Sequence, residues 1–170
     1  RYLTWAQLIE ELAAMMGDTA ALPKQGVFET ERFNSLRKLS FFEGFADVDL
    51  WEVLRFSEWL TVPKDQVILK EGDPGDFFCI LVSGEARVTR KRRLITTLKS
   101  GECLGEMACL GSPDNLRTAD VIAAQAVRMI NIPVSAYRKA TDSCRLRFEH
   151  AFRRVLVERL MQANTRLSMV

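Results

Sequence analysis

The chain has 170 residues, of which 48% are hydrophobic, and this is enough to bury one core with some helix left over. Its 24 Lys and Arg residues against 22 Asp and Glu residues give a formal net charge of +2. This balance excludes the broad positive field of a protein held on DNA or on an anionic membrane. No apolar run is long enough to span a bilayer, and no signal segment precedes the first patterned residues.

The cysteines are predicted to be reduced core residues of a cytoplasmic protein. The four cysteines lack CxxC spacing, and a single histidine, His150, is available to join them as a metal ligand. We therefore expect no metal and no cofactor. Because the chain starts at Arg1 inside a patterned segment, we expect it to be part of a longer protein.

The chain begins with a segment predicted as an amphipathic helix, residues 1–17. Thr4 and Gln7 have the spacing of a capping box, and apolar residues then recur at helical spacing. Residues 18–27 contain proline and glycine and are predicted as a linker. Residues 28–170 are predicted to form one domain.

Inside this domain the hydrophobic period changes twice. Helical spacing over 28–39 and 47–56 gives way to short runs of β-forming residues separated by glycine or proline. This rhythm is typical of an antiparallel barrel or roll. The predicted strands are Trp59–Val62, Gln66–Leu69, Phe77–Val82, Ala86–Thr89, Leu94–Leu98, Ala119–Ala123 and Ala126–Ile132. A short segment from Pro133 to Tyr137 and a long helix from Asp142 to about Leu167 follow, which predicts an α+β fold that is mainly β.

Residues with a clear chemical use lie in and just after 101–110. Gly105 allows a close approach of the backbone, and a turn of helix beginning at Met107 and Ala108 would direct N–H groups at an anion. Arg117 supplies a countercharge, and its charge-assisted hydrogen bond to a phosphate oxygen is worth roughly 1.5–3 kcal/mol.

Glu106 needs a separate explanation, because a phosphate would repel its carboxylate. Accepting a hydrogen bond from a ribose 2′-hydroxyl while pairing with Arg117 would give it a task. The alternative is a mutual salt bridge in a roll without a ligand. The presence of both charged residues together with Gly105 favours binding.

Two stretches, Gly101–Leu110 and Leu116–Asp120, together resemble the phosphate-binding cassette of the cyclic-nucleotide-binding domain family. Glu71–Ile80, followed by Gly84, is similar to the glycine-punctuated strand pair of the same family. The resemblance extends over about Phe33–Leu167. It implies an antiparallel eight-stranded β-roll, jelly-roll-like, with N-terminal helices and a C-terminal lid helix.

The resemblance also implies roles for individual residues. In that family the matching glutamate binds the ribose hydroxyl, the matching arginine binds the cyclic phosphate, and backbone groups of the cassette donate to it. The ligand-binding residues implied here are Gly105, Glu106, Met107, Ala108, Arg117 and Thr118. The threonine leaves cAMP and cGMP open as ligands, because members with either preference place a hydroxyl there.

The last helix of the family closes over the base, which raises the question of its contact residue. Phe148 and Phe152 are candidate lid residues that could stack on a purine, or both could pack the helix against the roll. Both alternatives stay open. Four arginines of this helix could also lie over a base: Arg145, Arg147, Arg153 and Arg154.

We therefore expect a regulatory domain without catalytic machinery that binds cAMP or cGMP and signals through its C-terminal helix to an attached or partner effector. Arg1–Leu8 resembles the start of the last helix of bacterial eukaryote-like Ser/Thr kinase domains, which predicts such a kinase as the effector. The sequence leaves no room for a helix-turn-helix after the long helix, so DNA binding is not expected if the parent protein ends at the same residue. No nucleic acid and no membrane are expected as partners.

The rival hypothesis is a ligand-free structural module of the same fold. In that case an apolar stripe on the last helix would form the seam of a homodimer. Its members are Phe148, Phe152, Val155, Leu160, Ala163 and Leu167. The basic run Arg90–Arg93 is predicted as a solvated hairpin turn, because strand-like residues flank it.

Overall fold

The computed structural model describes residues 25–108, 110 and 114–168. The chain divides into two compact units, Arg1–Glu31 and Arg32–Val170. The predicted N-terminal helix, residues 1–17, lies outside the described residues. The predicted division of the chain into helix, linker and domain therefore stays a prediction.

Helix α1 (Gln25–Arg37) begins inside the segment predicted as a linker, residues 18–27. A glycine is expected to break a helix, but Gly26 lies in the first turn. There the backbone N–H groups have no intrahelical partner in any case, so a poor helix former costs little. The helix also ends short of its predicted end at Leu39.

Eight strands follow in the described part of the chain, and the seven predicted ones differ from the observed bounds by one residue at most. The strands are β1 (Glu58–Val62), β2 (Val67–Leu69), β3 (Phe77–Ser83), β4 (Ala86–Arg90), β5 (Arg93–Leu98), β6 (Cys103–Leu104), β7 (Asp120–Ala123) and β8 (Val127–Pro133). The sequence does not predict β6, because two residues show no alternation.

The strands form two four-stranded sheets, in the orders β1-β8-β3-β6 and β2-β7-β4-β5. Every pairing is antiparallel. This confirms the predicted α+β class and the antiparallel β-roll, built as two sheets and not as a closed barrel.

One turn between strands depends on a glycine. Gly84 follows β3 with a φ of +90°, and a Cβ at this position would lie 2.5 Å from the carbonyl oxygen of Ala126. Only a residue without a side chain fits both the backbone conformation and this approach.

Helices precede and follow the strands along the chain, as predicted. A single 3-10 turn (Ser40–Phe42) and helix α2 (Asp47–Phe56) precede β1, and α3 (Val134–Lys139) and α4 (Asp142–Ser168) follow β8. Within the described ranges, none of the helices combines the length and the apolar character that crossing a bilayer requires.

An aromatic cluster attaches α4 to the roll. Phe148 and Phe152 pack against Phe41 and Phe78 with ring centroids between 5.2 and 6.0 Å apart. All four side chains are buried, and their edge-to-face and tilted contacts are the favourable geometries for aromatic rings. The N-terminal half of α4 is therefore part of the main core.

Polar bonds fix the first turn of α4 on α2. Glu52 accepts hydrogen bonds from the backbone N–H and the Oγ1 of Thr141, at 2.7 and 2.6 Å. Asp49, which is 1% exposed, accepts one from Ser143 Oγ at 3.1 Å and one from the N–H of Ala46, also at 3.1 Å. These bonds satisfy donors at the starts of both helices.

Candidate functional site

A cavity opens where the sheet β2-β7-β4-β5 meets α4. Its volume is about 270 Å³, slightly below the roughly 300–1,000 Å³ of most small-molecule sites. Most of its wall is aliphatic. The lining residues are Leu69, Val88, Ile95, Thr96, Leu98, Leu104, Gly105, Glu106, Met107, Leu116, Arg117, Thr118, Ala119, Val121, Leu156 and Arg159.

This cavity brings most of the sequence-predicted site residues together. Five of them line it: Gly105, Glu106, Met107, Arg117 and Thr118. Ala108 ends the 3-10 turn that Glu106 and Met107 begin. Within the described ranges, no group of side chains has the composition and geometry to hold a metal ion.

The predicted turn of helix at Met107 and Ala108 is present and begins one residue earlier, at Glu106. It is a single 3-10 turn of three residues, and so few aligned peptide groups sum to only a small dipole. The backbone N–H groups of Met107 and Ala108 would therefore act on an anion as individual donors.

Arg117 is held in a fixed orientation at the cavity wall. It is 6% exposed. Its Nη1 donates to the carbonyl oxygen of Gly105 at 3.0 Å and its Nη2 to that of Phe77 at 2.7 Å, while the guanidinium carbon lies 4.5 Å from the centroid of the Phe77 ring. Two carbonyls and a ring face thus set the plane of the guanidinium before any ligand arrives.

Gly105 allows this arrangement. Its φ is +78°, and a Cβ there would lie 2.6 Å from Nη1 of Arg117 and 3.2 Å from a methyl group of Leu69. A side chain at this position would strain the backbone and displace the guanidinium.

Glu106 is almost completely buried, at 2% exposure. Its Oε1 accepts a hydrogen bond from Nη1 of Arg159, and Nη2 of the same guanidinium donates to the carbonyl oxygen of Cys103. The sequence predicts a pairing of Glu106 with Arg117. The structure gives it to Arg159, because α4 continues without a break past the cavity.

A buried thiol close to Arg117 does not carry a competing negative charge. Burial raises the pKa of the Cys79 thiol to about 12, and the charge of Arg117 lowers it by a smaller amount. Cys79 is therefore neutral at physiological pH, and its Sγ lies 3.7 Å from Oδ1 of Asn131. The Cys79 thiol therefore does not neutralise the positive charge of Arg117.

The candidate lid residues Phe148 and Phe152 do not line the cavity. Both are fully buried in the aromatic cluster, so the structure supports core packing over stacking on a base. The residues of α4 that line the cavity are Leu156 and Arg159, which follow on the same helix. Arg154 donates to the carbonyls of the 3-10 turn at Ser40–Phe42 instead.

A signal for these two residues is present in the sequence. The buried stripe of α4 steps from Phe148 to Phe152 at intervals of four, and one further step reaches Leu156. Arg159 lies three residues beyond Leu156, on the same face. Extending the stripe beyond its aromatic members would have predicted both contacts.

A family model described as "Cyclic nucleotide-binding domain" matches residues 59–144, about half of the chain. The chain belongs to this family. The family predicted from the cassette residues is therefore confirmed.

Curated relatives of this cyclic nucleotide-binding domain are much longer proteins. It is 32% identical over 128 residues to "cGMP-dependent protein kinase 2" of Homo sapiens, which covers 72% of this chain and 16% of the kinase. It is 37% identical over 104 residues to the "cAMP-dependent protein kinase regulatory subunit" of Hypocrea atroviridis, covering 61% of this chain and 21% of the subunit. The chain thus spans less than a quarter of either relative. Both are eukaryotic, and the predicted bacterial origin stays a prediction.

Solved structures show the same fold. A cyclic nucleotide-binding domain from Methylobacillus flagellatus KT superposes with a TM-score of 0.70 at 19% identity, covering 85% of each chain. The regulatory domain of Toxoplasma gondii PKA, solved with cAMP, gives a TM-score of 0.61 at 18% identity over 68% of this chain and 46% of that chain. At this identity the likeness concerns the fold alone.

Proposed function

We propose that this domain binds a 3′,5′-cyclic nucleotide, cAMP or cGMP, in the cavity described above and regulates an effector through α4. The observation that carries the proposal is the presence of two nearly buried, oppositely charged side chains, Glu106 and Arg117, on the wall of one cavity. A few polar groups placed on a mostly aliphatic wall are typical of a small-molecule site, and these two charges suit the phosphate and the sugar hydroxyl of such a ligand.

In this proposal the two charged residues of the cassette contact different parts of the ligand. Arg117 and the backbone N–H groups of Met107 and Ala108 neutralise the cyclic phosphate. Glu106 accepts a hydrogen bond from the ribose 2′-hydroxyl. The apolar walls, including Ile95 and Leu156, receive the base, because a purine face is largely apolar.

Arg159 supplies the proposed coupling to α4. Its guanidinium donates a hydrogen bond to one oxygen of the Glu106 carboxylate. The ribose hydroxyl would contact this same carboxylate. A ligand in the cavity therefore changes the environment of a residue on α4 directly. A coupling of about 1–3 kcal/mol is ordinary for such a switch.

The effector lies outside the described residues. The similarity to parts of cGMP- and cAMP-dependent kinases supports a Ser/Thr kinase as the attached or partner protein. The predicted non-enzymatic role and cytoplasmic location belong to the same proposal, and a phosphodiesterase assay tests the first of them directly.

Isothermal titration calorimetry with cAMP and with cGMP tests the binding proposal. We expect Arg117→Ala to weaken binding roughly 10- to 150-fold, the equivalent of losing one charge-assisted bond. Glu106→Gln keeps the side-chain shape and should weaken binding about ten-fold. Arg128→Ala, an exposed cation on β8 outside the cavity, is the matched control and should bind as the wild type does.

The rival hypothesis, a ligand-free dimer module, has one observation in its favour. Leu160, Met161 and Leu167 are exposed along the C-terminal half of α4. The predicted seam is corrected, however, because its first two members, Phe148 and Phe152, are buried in the core. Wild-type protein freed of carried-over nucleotide that gives no heat with either ligand, and that dimerises in analytical ultracentrifugation, would favour the dimer module.

A further inference from the structure

The tip of the β4–β5 hairpin has a conformation that its residues do not favour. Strands β4 and β5 are joined by a two-residue loop, Lys91-Arg92, and both residues have positive φ values of +49° and +64°. Two-residue loops of this kind are dominated by Asn and Gly, which adopt left-handed conformations at little cost. Strain kept at an exposed turn is a reason to look for a function of these side chains.

The same tip concentrates positive charge. Arg90 and Arg93 are directly opposite each other in the register, an arrangement that like charges destabilise. Arg90 lies 3.6 Å from Glu71. Among the described residues, no salt bridge is found for Lys91, Arg92 or Arg93. The chain's net charge of +2 excludes a broad positive field over the whole protein, but it is compatible with a local cluster of cations at this hairpin.

Exposed apolar residues accompany the cations of the hairpin. Leu94 is 62% exposed. Arg166 donates to the carbonyl oxygen of Ile95 at 2.7 Å, which brings the last turns of α4 alongside this strand. The next residue, Leu167, is 76% exposed. Cations and exposed leucines thus occur together at the β4–β5 hairpin and the adjacent last turn of α4.

We propose that the β4–β5 hairpin is a docking site for the anionic surface of a lipid bilayer. Cations at such a surface gain from acidic headgroups, and aliphatic side chains beside them gain from the acyl chains. A single-stranded nucleic acid would use the cations but not the leucines, and its sites usually offer aromatic rings for stacking. The residues from Arg90 to Ile95 contain no aromatic ring.

The hairpin tip is separate from the nucleotide cavity. Lys91 and Arg92 are not among its lining residues, whereas Ile95, further along β5, is. A substitution at the tip therefore tests lipid docking without touching the residues proposed to bind the nucleotide.

The decisive variant is Lys91→Asn with Arg92→Gly, which removes two cations and installs the preferred loop residues. Its Tm should rise, because the turn is relieved of strain. Its affinity for vesicles containing about one third phosphatidylserine should fall about 25-fold, or about five-fold for each cation. Binding of the wild type should weaken when salt is raised and be absent with pure phosphatidylcholine vesicles.

The matched control is Lys38→Gln with Lys64→Gln, which removes two exposed cations elsewhere and should leave vesicle binding unchanged. The proposal is overturned if the wild type binds neither vesicle, if the loop variant binds as the wild type does, or if the control loses as much affinity. It is also overturned if the wild type binds a single-stranded oligonucleotide but no vesicle. The same variants are also titrated with cyclic nucleotide by calorimetry. The loop variant should bind nucleotide as the wild type does, so failure of the lipid proposal and failure of the nucleotide proposal are told apart.

Discussion

The two halves of α4 are attached to the protein in different ways. In the first half, Cys144, Phe148, Ala151 and Phe152 are all buried at 1% exposure or less. In the second half, no residue from 153 to 168 is buried. That half is held mainly by three arginines, Arg154, Arg159 and Arg166, which donate to carbonyl and carboxylate oxygens of the roll and the 3-10 turn. Among the described residues, its one apolar contact with the core cluster is the partly buried Val155.

This difference matters because the two kinds of attachment respond to different events. Burial of a large apolar side chain contributes roughly 1.5–3 kcal/mol and does not depend on a small ligand. A guanidinium contact at a partly exposed site contributes less and is readily exchanged. Arg159 binds on the wall of the cavity itself. Under the proposed function, a nucleotide in the cavity would act on the second half of α4 while the first half stays folded on its core.

The largest effect is expected in the first half. Phe148→Ala removes a ring that contacts seven other aromatic residues in the structure: Phe41, Phe42, Phe45, Phe56, Phe78, Tyr137 and Phe152. We expect a loss of about 3–5 kcal/mol in the free energy of unfolding, measured in urea. A loss below about 1 kcal/mol would show that burial does not anchor this half.

A smaller effect is expected at the polar joint between α2 and α4. Asp49→Ala leaves the Ser143 hydroxyl and the Ala46 N–H without their acceptor and should cost about 1–3 kcal/mol in the same measurement. Asp47→Ala is the control on the same helix, since this exposed residue forms only a salt bridge of 3.5 Å with Arg37. An equal cost for both variants would contradict the structural role of Asp49.

Arg159→Ala tests the second half of α4. We expect amide hydrogen exchange over residues 156–168 to increase about ten-fold, because the tie to Glu106 and Cys103 is lost. Exchange over residues 142–152 should not change. Arg153→Ala, exposed on the same helix, is the control. Faster exchange along the whole of α4 would mean that the two halves open together.

Arg166→Ala should give the smallest effect. It removes one hydrogen bond to the carbonyl oxygen of Ile95 at an exposed position, and we expect amide exchange in the last two turns to rise about two-fold. No change in the free energy of unfolding is expected. A change as large as that of Arg159→Ala would place the main tie of the second half at β5 and not at the cavity.

The strands of the roll could be predicted from the sequence because their signals are local. Alternation of residues and the glycines between runs define seven of the eight strands. The convergence of Glu106 and Arg117 on one cavity was implied by the resemblance of the cassette. The contact of Glu106 with Arg159 joins residues 53 positions apart, and no local pattern encodes such a pairing.

Phe148 and Phe152 also show that a local pattern does not identify long-range contacts. Their helical spacing predicts an apolar face on α4, and this is correct. The pattern does not tell whether a nucleotide base or the side chains of Phe41 and Phe78 cover that face. Tertiary packing decides between these neighbours, since both would satisfy the same apolar stripe.

The close approach at Gly105 implies a simple route by which the proposed anion site would be lost. A single methyl group at this position would collide with Nη1 of Arg117, so one substitution could move the guanidinium out of place while every charged residue is retained. A variant with alanine there would keep every charged residue of the cassette, yet its arginine would no longer lie where the proposed function needs it.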